Sequence, residues 1–335
     1  QATVIQAGSL LRTRIAAQRP TRITPSRGRN TMGETSDVAD PAAVPTFQLS
    51  ELTRAHVTVA LSGDGGDEAF AGYRRYRQLA LTRAGEALPG RRALAAALAA
   101  LAGGTEGRAP LPRAARLARR LALSPPARYA DLMRHLSDAD RARVYGPALA
   151  PLLERDRALA HVEREWAAHG RLGWLRRAAA VDWRTYLPDD LLPKVDLTSM
   201  AVGLEVRSPL LDQELLAWCA RLPERLLRGR EDKPLLRAAV APWLPREVLA
   251  RPKHGFAVPI GRWLRGPLRG FCEDVLLDRA TRERGLLDPA GIEALLREHA
   301  QGRDRSLQLW TLLMLELWLR TCADHPAERV LGLAS

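Results

Sequence analysis

Val57-Thr58-Val59-Ala60-Leu61-Ser62-Gly63-Asp64-Gly65-Gly66-Asp67-Glu68 is a β-branched run that stops on a glycine-rich, acidic loop. Its first five residues show no polar alternation beyond Thr58, the pattern of a parallel strand buried on both faces. Ala69 to Leu81, just after the loop, reads as a helix. In open parallel sheets, ligands bind outside the carboxyl ends of the strands. Glycines let the backbone approach a phosphate, and a following helix N-terminus favours anions. Asp64, Asp67 and Glu68 would nevertheless repel a polyphosphate unless a divalent cation stood between them. Magnesium takes carboxylate and phosphate oxygens together. The loop therefore predicts magnesium-nucleotide chemistry, although it fits neither the Walker nor the dinucleotide pattern. An ordinary acidic turn is the competing reading, and the strand directly before the loop argues against it.

Working outward, residues 1–33 show no clear period and contain Pro20, Pro25, Gly28 and Gly33 among arginines. They predict a disordered or non-native leader. Ordered text starts at Glu34, and Phe47 to Ala55 reads as a helix. Beyond Leu81, residues 82–122 read as two helices around a Gly/Pro break at Gly103 to Pro112. Helices continue through 126–180, with turn signals at Ser124-Pro125-Pro126 and Tyr145-Gly146-Pro147. Residues 251–270 read as a Pro/Gly/Lys loop, and 271–335 return to helices ending in the apolar Leu307 to Leu319. No internal repeat is evident.

Three further segments concentrate chemistry. Tyr186 to Asp212 reads YLPDDLLPKVDLTSMAVGLEVRSPLLD. Lys194 and Asp196 lie two apart there, as do Glu205 and Arg207, with apolar residues between, which suggests charges held near a buried wall. Structural ion pairs are as good a reading for Glu205 and Asp212 as function. In Glu231-Asp232-Lys233-Pro234, acidic residues before a proline mark a helix start, from which Lys233 would project. Arg251-Pro252-Lys253-His254-Gly255-Phe256 is an ordered-loop pattern, in which a lone histidine is more often structural than catalytic.

Composition narrows the classes. The chain has 335 residues, 46% hydrophobic, enough for a substantial core. No uncharged apolar run is long enough to span a bilayer. Cys219, Cys272 and Cys322 are odd in number and have no CxxC spacing, which argues against disulfides and zinc. The net charge of +13 raises nucleic acid as a partner. Only three of the 51 basic residues are lysines, however, and the arginines are spread over nearly every segment with few aromatics between them. That makes nucleic acid an unlikely partner and diffuse surface charge the better reading. Where arginine is the default cation, a compact ammonium is an anomaly. All three lysines, Lys194, Lys233 and Lys253, fall in the motif segments.

In order and spacing, VTVALSGDGGDEAFAGYRRY, the Tyr186–Asp212 stretch, EDKPLLRAAV, RPKHGFAVPIGRWLRG and the tail LWTLLMLELWLR resemble the C-terminal synthetase domain of glutamine-dependent asparagine synthetase, over roughly Glu34 to Arg320. The resemblance implies an α/β fold: a remnant of a parallel, adenine-nucleotide-hydrolase-like (HUP-type) sheet with a large, mostly α-helical body. It implies ATP and Mg2+ as cofactors, and aspartate and glutamine-derived ammonia as substrates. The aspartate side-chain carboxylate is adenylated, and ammonia then displaces AMP. Asp67 resembles the magnesium–pyrophosphate ligand, and Asp64 the acidic residue that helps form and attack the adenylate. Ser62, Gly63 and Gly65 shape the loop, and Lys233 resembles the lysine that stabilises the charged transition state. Glu68, Arg207, Asp212 and Lys253 correspond to substrate-site or structural positions. No SGG occurs in this chain, whereas the family's pyrophosphate loop reads SGGxDS. The reading therefore expects residues 34–335 to form a synthetase domain without its first strands and pyrophosphate loop, and without the N-terminal glutaminase domain. A cytoplasmic location, no membrane contact and a homodimer are compatible with it. The same framework resembles β-lactam synthetases, lasso-peptide cyclases and exosortase-associated polysaccharide amidotransferases. An inactive helical scaffold is the alternative from another class.

Overall fold

The computed structural model describes residues 39–84, 89–90, 93, 97, 119–154, 156–229, 231–251 and 258–324. The leader reading of 1–33, Lys253, His254 and most of the two-helix reading of 82–122 lie outside them.

Helices dominate because short apolar stripes recur with local capping. The first is α1 (Ala43–Arg54), longer at its start than the sequence reading. Pro45 is tolerated there because first-turn N–H groups have no intrahelical acceptor. β1 (Val59–Leu61) follows and pairs in parallel with β2 (Glu205–Arg207), in the register Val59↔Glu205, Ala60↔Val206 and Leu61↔Arg207. Among the described residues this two-stranded ribbon is the whole sheet. The strand is therefore parallel, as expected, but not buried. Val59 is 38% and Leu61 73% exposed, because the layers that normally cover both faces of a parallel sheet are not found over it among these residues.

The expected helix over Ala69–Leu81 is divided. A four-residue turn, α2 (Gly66–Ala69), precedes α3 (Arg74–Ala84). Between them the chain reverses through Ala71, whose φ of 55° is left-handed, and Gly72. Next come α4 (Pro125–Met133) and α5 (Asp138–Val144). Ser124 caps the first, with Pro125 at its opening position. Ser137 and Asp140 form a capping box on the second. The pair α6 (Arg157–Ala168) and α7 (Trp174–Arg184) leads into a π-helical turn (Leu187–Leu191) and α8 (Leu192–Met200). After β2 come α9 (Gln213–Arg221), α10 (Glu224–Leu227), α11 (Pro234–Val240) and α12 (Arg246–Ala250).

The loop expected over 251–270 ends at Pro259. Ile260 to Arg265 is helical (α13), because Ile260 and Leu264, one turn apart, enter the core at 5% and 3% exposure. Helices α14 (Arg269–Leu276), α15 (Arg279–Glu283), α16 (Pro289–Ala300) and α17 (Ser306–Trp318) follow, as the apolar tail predicts, and a π-helical turn (Leu319–Ala323) ends the described chain.

Two apolar clusters result. One gathers Phe70, Tyr76, Leu79, Tyr129, Trp166, Ala178, Val181 and Cys219, from α3, α4, α6, α7, α9 and the α2–α3 turn. The other gathers Val144, Leu264, Cys272, Ile292, Leu295, Leu309 and Leu313, from α5, α13, α14, α16 and α17. The first lies directly behind the glycine-rich loop. No described helix is long and apolar enough to cross a membrane.

Candidate functional site

The loop leaves β1 and is tied at once to β2. The Ser62 amide donates to the Arg207 carbonyl at 2.8 Å, extending the ladder by one step. The Ser62 hydroxyl donates to Asp64 Oδ2 at 2.8 Å and lies 2.9 Å from the Ser208 hydroxyl. Asp64 is thus held on the loop by its own neighbour. Gly65 has φ 83°, which an L side chain rarely adopts. A Cβ there would also stand 2.2 Å from Leu211 Cδ2. Both facts require glycine, so the Pro209–Leu211 turn packs directly on the loop. A cleft of about 550 Å3, bounded by Leu192, Val195, Ser199, Val206 and others, reaches Ser208 beside it.

Asp67 follows on α2. From a segment far away in sequence, Lys233 brings its Nζ to 3.4 Å from Asp67 Oδ1. Lys233 occupies the cap position of α11 with φ 53°, and Pro234 opens the helix, as the acidic–proline pattern predicts. Both side chains are about a quarter exposed. A Cβ on Gly66 would come 3.7 Å from the ammonium, so Lys233 reaches over the loop itself. Ser62, Gly63, Asp64, Gly65, Asp67 and Lys233 therefore share one locality at the end of β1.

The remaining candidates fall elsewhere. Asp212 accepts the Leu215 amide at 2.9 Å and caps α9, a structural task. Arg207 pairs with Glu205 at 2.6 Å, with both side chains more than half exposed, so the expected buried wall does not exist there. Lys194 is buried, and its partner is Asp40 at 2.5 Å; Asp196 is exposed. Glu68 is buried behind the loop, 2% exposed, and faces the apolar cluster.

Behind α2 lies a polar network that motif reading did not assign. Tyr73 donates its hydroxyl to Glu68. The Arg75 guanidinium lies 3.7 Å over the Tyr73 ring and 4.5 Å over Tyr186. Its Nη2 is 2.8 Å from Asp182 Oδ2, which also accepts the hydroxyls of Tyr76 at 2.5 Å and Tyr129 at 2.6 Å. Burial pushes the Glu68 and Asp182 carboxyls above their ordinary range, and Arg75 opposes it at Asp182. The signal was present in the run Tyr73-Arg74-Arg75-Tyr76, but its partner Asp182 stood unmarked in a helical stretch.

No group of three or more His, Cys, Asp or Glu side chains that could cage a metal occurs among the described residues. The loop offers one or two carboxylates, Asp67 and Asp64. That donor set fits magnesium held jointly by a carboxylate and substrate phosphates, and does not fit a protein-caged ion.

The family model for asparagine synthase matches residues 29–320. The chain is 36% identical over 295 residues to the "Putative asparagine synthetase (glutamine-hydrolyzing)" of Mycobacterium tuberculosis, covering 86% of this chain and 43% of that protein. It is 29% identical over 289 residues to "Asparagine synthetase (glutamine-hydrolyzing) 1" of Bacillus subtilis, covering 84% and 43%. A shorter match, 34% over 99 residues, links it to "Asparagine synthetase (glutamine-hydrolyzing) 1" of Saccharomyces cerevisiae, covering 25% and 17%. The chain thus spans 43% of the length of the first two relatives.

Proposed function

The chain belongs to the asparagine synthase family, and from that premise we propose that it carries the ATP-dependent, amide-forming half of such an enzyme. In this reading ATP adenylates the side-chain carboxylate of aspartate, and ammonia derived from glutamine displaces AMP to give asparagine. The β1–β2 ribbon belongs to a HUP-type parallel sheet, and the protein works in the cytoplasm. The observation that carries the reading is the 3.4 Å approach of Lys233 to Asp67. A carboxylate and a lone ammonium, brought from separate motifs to a glycine-rich loop, suit a phosphate chain that carries its own cation.

The residues divide the work by charge and reach. Asp67 would hold magnesium together with the phosphates, and Asp64 stands beside it on the loop. When bound, magnesium would neutralise phosphate charge and polarise the bond that breaks. Lys233, which rests against Asp67, would meet the negative charge that accumulates at the α-phosphate. Gly63, whose Cβ direction is open, and Gly65 let backbone approach the phosphates. Ser62 holds Asp64 in place and, through Ser208, joins the loop to the cleft along α8.

Isotope exchange between pyrophosphate and ATP tests the reading. With Mg-ATP and aspartate the chain should return labelled pyrophosphate to ATP, and Lys233→Met should slow that return by about 10²-fold or more. Exchange that ignores aspartate, or that survives Lys233→Met, rules the reading out.

A further inference from the structure

Glu68 is the one acidic residue of the loop that faces inward. Tyr73 donates to one of its carboxylate oxygens, and Oε2 has no hydrogen-bond partner among the described residues. A buried carboxylate half satisfied in this way costs stability. Something local must retain it.

The segment between Glu68 and Tyr73 supplies the reason. The chain reverses through Ala71, held at φ 55° although it is not glycine. Such a conformation is strained for a residue with a side chain and persists only where the surroundings over-determine it. Next to it, a Cβ on Gly72 would stand 2.0 Å from Asp67 Oδ1 and 2.7 Å from Lys233 Cγ. The Gly72 amide also donates to the Asp67 carbonyl at 2.8 Å. The turn is thus the wall against which the Asp67 carboxylate and the Lys233 stem both rest. Its two ends are Glu68 on α2 and Tyr73 before α3. Tyr73 is itself pinned by the Arg75 guanidinium, 3.7 Å over its ring, and Arg75 is anchored on the fully buried Asp182.

We propose that Glu68 and Tyr73 are positioning residues: their hydrogen bond clasps the Phe70–Gly72 turn shut and so fixes the spacing of Asp67 and Lys233. The purpose of that spacing rests on the function proposed above; the clasp does not. Tyr73 needs only an acceptor oxygen at position 68, which a glutamine amide also offers, so a glutamine should do the same work.

The scarcity of lysine makes the test clean. Limiting acetic anhydride on the full 335-residue chain, followed by peptide mass spectrometry, reads acylation of Lys233 against Lys194. Lys194 is buried on Asp40 and reports any general loosening. Tyr73→Phe and Glu68→Ala should raise the Lys233/Lys194 ratio on the order of fivefold, the effect of one lost hydrogen bond, while Glu68→Gln stays within about twofold of the parent. An unchanged ratio in Tyr73→Phe, an equal rise at Lys194, or a Glu68→Gln that behaves like Glu68→Ala overturns the proposal. Should Glu68→Ala fail to fold, Tyr73→Phe carries the decision, because it keeps the ring under Arg75. Failure of the nucleotide reading has a separate signature: magnesium pyrophosphate would not protect Lys233 of the parent chain, whatever the variants do.

Discussion

Asp190 shows how one side chain can make stability depend on pH. Burial, and then the charge of Asp40, push its carboxyl up to about 6 from 3.8, against the pull of Lys194. The folded chain therefore keeps a proton that the unfolded chain has lost between about pH 4 and pH 6, and this group makes folding less favourable as pH rises through that window. Asp190→Asn should flatten the decline and raise the melting temperature at pH 7. A variant that melts lower than the parent at pH 7 and keeps the same slope would refute it. At Asp212 the expectation is conformational. Its carboxylate caps α9, so Asp212→Ala should cost about 1 kcal/mol in denaturant unfolding. If it also abolished pyrophosphate exchange without loss of stability, the structural assignment would be wrong. Single residues were legible in the sequence where chemistry was scarce. Lys233 stood out because lysine is rare and a proline followed it. Tyr76 and Asp182 did not, because a tyrosine and an aspartate in helical text carry no mark of a contact across a hundred residues.

Elements were legible by period but not by interruption. The strand, the apolar last helix and the proline-opened helix after Lys233 follow from patterns within ten residues or so. The break between α2 and α3 does not, since Ala71 is an ordinary helix former and its left-handed φ is imposed by what the turn must touch. The same reasoning explains α13. Ile260 and Leu264 become a helix because a core is there to receive them, while the surrounding prolines and glycines read as loop. Glycine substitutions test the loop at this scale. Gly65→Ala would force φ 83° on an alanine and drive its methyl into Leu211. Gly72→Ala would displace Asp67 and the Lys233 stem. Both should lower stability by about 1–3 kcal/mol, and Gly72→Ala should also weaken magnesium-dependent nucleotide binding. Calorimetry of the two variants separates these effects; intact binding in Gly72→Ala would show that the turn does not set the pair.

Across the whole molecule, much of the arginine is structural. Arg305 bridges Asp140 and Glu298, and Arg320 and Arg284 both reach the buried Glu316. The exposed apolar ribbon of Val59 and Leu61 lies at one side of the loop, and the first apolar cluster lies behind it. Within that frame the central claim is local: Asp67 and Lys233 together grip a magnesium–phosphate tail. Titration calorimetry of Mg-ATP into the chain, beside Asp67→Asn and Lys233→Met, addresses it most directly. The account expects binding that needs magnesium and that falls at least tenfold in either variant, as loss of a charged contact implies, with the melting temperature little changed. Binding of equal strength in parent and variants, or binding indifferent to magnesium, would contradict it.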